Sequence, residues 1–101
     1  MSDDTTYDAA ILEQEGLSDW TFRDGTLHAH FETGDFATGL KLLNRVGEAA
    51  EAMNHHPDLD LRYPHLEITL SSHDAGGVTD RDVALARTIS ELAAGDGVRA
   101  G

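Results

Sequence analysis

The 101 residues of the chain leave room for one domain, read as residues 1–101. Seven basic residues against nineteen acidic ones give a formal net charge of −12. Such a surface repels phosphate backbones and speaks against nucleic acid as a partner. With no cysteine, disulfides and thiolate metal sites are excluded, and no apolar run approaches the roughly 20 residues of a bilayer span. The opening MSDDTTYD is acidic where a signal peptide would be basic and then apolar, so a cytoplasmic location is expected and no membrane partner. A domain this short keeps much apolar surface wet as a monomer, which favours a homo-oligomer. Lys41 is the single lysine beside six arginines. A high-salt cytoplasm and a GC-rich genome both account for that skew.

Residues 1–15 mix Asp and Thr with Ala9, Ala10, Ile11 and Leu12, which predicts a short helix ending before Gly16. Trp20 and Phe22 then alternate with polar neighbours. Asp24-Gly25 supplies a turn, and Leu27, Ala29 and Phe31 alternate again, the pattern of a tight hairpin. His28, His30 and Glu32 fall on the opposite face of that strand, which reads as a solvated surface.

Phe36 to Met53 reads as the main helix. Asp35 is its N-cap, and Phe36, Leu40, Leu43, Val46, Ala50 and Met53 form an apolar stripe that Leu42 and Ala49 widen. Gly39 and Gly47 each weaken the helix by about 1 kcal/mol relative to Ala, so tertiary packing must hold it. Pro57 stops it. One strand is predicted over Leu59 to Tyr63 and a second from Leu66 through Ser72, joined by Pro64-His65. After Gly76-Gly77, Thr79 and Asp82 resemble a capping box. They open a final helix whose apolar side is Val83, Leu85, Ala86, Ile89 and Leu92, and residues 95–101 read as a loose tail. The fold class is therefore α+β, a four-stranded antiparallel sheet with helices packed on one face in the order α-β-β-α-β-β-α.

Chemistry concentrates in Glu51-Ala52-Met53-Asn54-His55-His56-Pro57, Tyr63, His73-Asp74 and Asp82. Imidazole titrates near pH 6.5 in model peptides (about 6.5), so histidines at a helix exit and a strand exit suit proton transfer at neutral pH. Three other readings compete. A metal site would draw on the histidines with Glu51 or Asp74, but two ligands on one helix usually sit three or four residues apart, not adjacent. His55-His56 alone is also explained as a pair of helix C-terminal cations favoured by the helix dipole. A nucleophilic serine fits poorly, because Ser71 and Ser72 lack the surrounding elbow pattern.

The spacing E-x3-H-H-P-x5-Y-x9-H-x8-D from Glu51 to Asp82 resembles the signature of pterin-4a-carbinolamine dehydratases. The likeness extends to Trp20, Gly34-Asp35-Phe36, Asn44-Arg45-Val46, Asn54 to Asp58, Ser72 to Gly77 and Asp80-Arg81-Asp82, about three quarters of the chain. It implies a homodimer or homotetramer that dehydrates 4a-hydroxytetrahydrobiopterin or a related pterin to the quinonoid dihydropterin. No metal and no other cofactor is expected. A pterin-dependent hydroxylase would be its pathway partner in tetrahydrobiopterin recycling.

Carried over by position, His55 and His73 resemble the acid–base pair, and His56 a third histidine that binds and assists. Asn54, Ser71, Ser72 and Asp74 are candidates for contacts with the pterin, and Trp20 for a ring that lies against it or packs in the core. Glu51, one turn before His55, is expected to orient the His55 ring. Asp82 is read first as a helix N-terminal carboxylate and second as a partner for His73. The alternative is a non-catalytic dimerisation, assembly or binding module on the same fold, for which a complete histidine trio has no chemical reason. A divalent-metal carrier using that trio is a third reading.

Overall fold

Asp24 and Gly25 take positive φ of 53° and 76°, as a two-residue turn between right-twisted strands requires. In the computed structural model, which describes residues 6–72 and 74–101, this turn joins β1 (Thr21–Arg23) to β2 (Thr26–Glu32). Ahead of them lies α1 (Ala9–Glu13), started by the Asp8 carboxylate, which accepts the Ile11 N–H at 2.8 Å. α2 (Phe36–Met53) starts where the Asp35 carboxylate accepts the Thr38 N–H at 2.7 Å. β3 (Asp58–Arg62) and β4 (His65–Leu70) follow around a cis Tyr63–Pro64 bond, and α3 (Asp80–Gly95) closes the helical layer.

The strands lie in the order β1-β2-β4-β3, every pair antiparallel. Alternation sends Leu27, Ala29 and Phe31 of β2 and Leu66, Ile68 and Leu70 of β4 to one face. There they meet Leu42, Val46 and Ala50 of α2 and Val83, Leu85, Ala86, Ile89 and Ala93 of α3 in one core. The α+β class and the one-sided helical cover are as expected. Among the described residues, no helix is long and apolar enough to cross a membrane.

The structure corrects the sequence reading at four places. Among the described residues the sheet has five strands, because the tail is not loose throughout. Val98 is buried, and β5 (Arg99–Ala100) pairs with β2 opposite Phe31 and Glu32, on the edge that β1 leaves free. A two-residue strand is too short to carry a periodic signal, so its pairing comes from where α3 ends. The first of the two later strands begins at Asp58 and ends at Arg62 instead of Tyr63. β4 ends at Leu70, and Ser72 instead forms an isolated bridge to Gly77.

The buried stripe of α2 is also rotated from the expected one. Phe36, Leu40 and Met53 are exposed, while Gly39 joins Leu42, Val46 and Ala50 inside. A Cβ on Gly39 would stand 2.7 Å from Leu61 Cδ1, so the missing side chain is what lets α2 settle onto β3. Glycine adds nothing to a hydrophobic count, so the expected stripe keeps Leu42, Val46 and Ala50 but misses Gly39 and wrongly includes Phe36, Leu40 and Met53.

Candidate active site

The site begins with how α2 ends. Asn54 adopts the left-handed conformation, φ 51° and ψ 42°, and its N–H meets the carbonyls of Ala50 and Glu51. Asparagine tolerates this C-terminal turn because its short polar side chain bonds locally. The His55 N–H also closes on Ala50 O, at 3.1 Å. The turn sends the next two side chains apart: His55 is buried, whereas the His56 side chain is 56% exposed.

Inside, His55 Nε2 lies 2.5 Å from Asp82 Oδ1. Asp82 has no exposed surface, so its carboxylate must find every partner within the protein. Its Oδ2 accepts the Ser72 hydroxyl at 2.7 Å and the Thr79 N–H at 2.9 Å, and the Ser72 and Thr79 hydroxyls lie 2.8 Å apart. Asp82 occupies the first turn of α3, where the exposed N–H groups and the helix dipole favour a negative charge. Because both carboxylate oxygens accept, the network assigns the His55 proton to Nε2. Nδ1 is then the ring nitrogen that does not face Asp82.

Asp82 thus serves as the expected helix-start carboxylate, but its histidine partner is His55. The second role foreseen for it, with His73, cannot be placed, because His73 lies outside the described residues. Glu51 departs from expectation as well. It pairs with Nε2 of His56, not with His55, because the left-handed Asn54 turns His55 away from the helix surface that Glu51 occupies.

Ser72 is tied to residues 75–77 by a set of backbone hydrogen bonds. Ser72 O accepts the N–H groups of Ala75, Gly76 and Gly77 at 3.0, 2.9 and 3.3 Å, and Ser72 N–H donates to Gly77 O at 2.8 Å. Gly76 has φ +76°, a value that suits glycine in so tight a turn. Asp74 is exposed and takes Arg81 Nη2 on both oxygens at 2.9 and 3.1 Å. The hydrogen bond to the Arg81 guanidinium holds its carboxyl below the usual carboxylate range. Ser72 is buried in the Asp82 network and acts as a brace, while Ser71 lines a shallow groove of about 320 Å³ with Thr26 and Gly76.

Trp20 sits in the core, edge-on to Phe31 with centroids 6.3 Å apart, and its indole N–H donates to Ser90 Oγ at 3.0 Å. It also lines a cavity of about 400 Å³ with Leu12, Leu17 and Phe22. Neither His55 nor His56 lines that cavity. Two contacts were missed in the sequence: that of the Thr79 hydroxyl with Ser72, beyond the expected capping box, and the Arg81 clamp on Asp74. The Thr-x-x-Asp spacing was the available signal for the first, since it aims a carboxylate back at residue 79.

The family profile described as "Pterin 4 alpha carbinolamine dehydratase" matches residues 2–92. The chain belongs to this family. Relatives include a Nocardia farcinica protein, 44% identical over 79 residues, 78% of this chain and 83% of the relative. A Thermomicrobium roseum protein is 38% identical over 91 residues, 90% and 95% of the two chains. Both carry the name pterin-4-alpha-carbinolamine dehydratase provisionally. The fold is similar to that of a crystal structure titled transcriptional coactivator/pterin dehydratase from Brucella melitensis. That likeness has a TM-score of 0.82 and 25% identity, and covers 88% of this chain and 99% of the other. A pterin dehydratase-like protein described as a RuBisCO assembly factor in the alpha-carboxysome shares the fold, with TM-score 0.60 and 21% identity over 73% of this chain and 86% of its own. The dehydratase-family fold therefore covers nearly the whole chain, including the His55–Asp82 network.

Proposed function

We propose that this chain catalyses loss of water from a 4a-hydroxytetrahydropterin, such as 4a-hydroxytetrahydrobiopterin, in the recycling of a pterin used by a hydroxylase. The observation that carries this reading is the convergence of His55 and Ser72 on the two oxygens of one buried carboxylate, Asp82. Through it, the helix exit that bears His55-His56 is bonded to the residue immediately before His73.

The reaction needs one proton delivered to the 4a hydroxyl and one removed from a ring nitrogen. The C–O bond then breaks, water departs, and the nitrogen's electron pair forms the C=N bond of the quinonoid dihydropterin. His55, held by Asp82 and presenting Nδ1, and His73 are assigned to these two transfers. His56, facing solvent beside Glu51, is assigned to binding and assistance. Acid–base groups of this kind contribute roughly 10²–10⁴-fold. Asn54, Ser71 and Asp74 remain candidates for the pterin's polar edges, with Ser72 acting through Asp82.

The test is the decay of freshly generated 4a-hydroxypterin, followed optically with and without protein. Acceleration by the parent that is lost when both His55 and His73 become Ala supports the assignment. Full activity in that double variant overturns it. A non-catalytic binding or assembly module is the second reading, since the fold likeness to an assembly factor separates fold from activity. Pterin binding without turnover would select it.

A further inference from the structure

The helix-free face of the sheet carries a second cluster of histidines, on the other side of the sheet from Asp82 and its partners. Strand pairing sets His30 opposite Glu67 and Glu32 opposite His65, so four side chains form a square on that face. The His30 and His65 rings stack with centroids 4.4 Å apart and planes inclined by 28°. His65 Nε2 lies 3.2 Å from Glu67 Oε2, and His30 Nε2 lies 4.0 Å from Glu32 Oε2. One donor atom each from His30, His65 and Glu67 all fall within 4.8 Å of one another.

We propose that His30, His65 and Glu67 form a site for a zinc-type divalent cation, separate from the dehydratase centre. Two imidazoles and one carboxylate make a donor set suited to zinc and its first-row neighbours, whereas magnesium and calcium prefer all-oxygen shells. Tetrahedral zinc with nitrogen ligands near 2.0–2.1 Å spaces its donors by roughly 3.3 Å. The observed donors, all within 4.8 Å of one another, would have to draw in by about 1.5 Å at most to reach that spacing. β2 bonds to β1, β4 and β5, which fixes the positions from which the ligands project. Glu32 stands ready beside His30, and the fourth position is open to it or to water. The net charge of −12 draws cations to the surface in general, and the pairing of nitrogen with oxygen donors selects among them.

The test uses the full chain dialysed to equilibrium against Zn²⁺, with bound metal determined by elemental analysis and affinity by competition with a chromogenic chelator. One zinc per chain is expected, not displaced by excess Mg²⁺. His30→Ala and His65→Ala should each weaken binding by roughly 10–100-fold or more, and Glu67→Gln should weaken it less. A His55→Ala/His56→Ala variant separates this site from the other histidines and should bind as the parent does. Amide shifts on titrating Zn²⁺ should fall on β2 and β4, a readout that holds even if one variant folds poorly. Failure to bind stoichiometric zinc, zinc retained at parental affinity by His30→Ala/His65→Ala, or shifts confined to the end of α2 would each overturn the proposal.

Discussion

His55 Nε2 meets Asp82 Oδ1 at 2.5 Å across a gap of 27 residues, and neither side chain has more than slight contact with solvent. The same carboxylate starts α3 and holds Ser72, so one residue joins a helix end, a strand exit and a helix beginning.

Asp82→Asn should therefore cost both stability and activity. An amide presents a donor where the carboxylate offered an acceptor, which leaves either His55 or the Ser72–Thr79 pair facing a donor. A loss of about 2–4 kcal/mol is expected, from buried groups left unsatisfied, read by urea unfolding. If the chain acts as proposed, dehydration should slow by roughly 10–100-fold as the His55 ring loses its orientation. Unchanged unfolding and unchanged turnover would contradict the network's role.

Asp74 predicts an acid-range effect of known sign. Its folded carboxyl is held below the ordinary value of 3.8 by Arg81, so the pair contributes stability above that value and loses it as pH falls through the folded value. Asp74→Asn should melt below the parent at neutral pH, with the gap closing on acidification under pH 3.8 and narrowing with added salt. Melting curves taken from neutral to acid pH check this, and a gap that widens in acid would refute it.

The two glycines of α2 should respond differently to alanine. Among the described residues, nothing outside the helix's own backbone lies within 4 Å of a Cβ at Gly47, so Gly47→Ala should raise stability by about 0.5–1 kcal/mol through helix propensity. At Gly39 the new Cβ meets Leu61 Cδ1 at 2.7 Å and Thr33 Oγ1 at 3.3 Å. The propensity gain there should be cancelled or reversed by overpacking. Equal gains in thermal midpoint at both positions would show that α2 does not press on β3 as described.

Val98 anchors the C-terminal strand. Its N–H reaches Ala93 O at 2.8 Å and its side chain is buried. Val98→Ala removes two buried methyl groups and should cost about 1–2 kcal/mol, with faster amide exchange at Gly101, whose N–H bonds to His30 O at 2.8 Å. A neutral substitution with unchanged exchange would mean that β5 adds nothing to the sheet.

Much of the fold was legible because its signals are local. Asp35 starts α2, Asp24-Gly25 sets a turn that few other pairs adopt, and Thr79 with Asp82 marks the start of α3. Each depends on backbone conformations that particular residues favour within a few positions. The histidine pair at the helix exit was legible for the same reason, and the long spacing from Glu51 to Asp82 resembled one family.

Tertiary structure alone decided the partners. Asn54 turns one of two adjacent histidines inward and the other outward, which gives His55 to Asp82 and His56 to Glu51. Packing on Leu61 chose which flank of α2 is buried, and the end of α3 delivered Val98 and a fifth strand to β2. Strand register set His30 and His65 ring to ring. Sequence determines the conformations a residue can adopt with its neighbours in the chain. Which distant side chain meets it depends on how whole elements pack, and no local pattern records that.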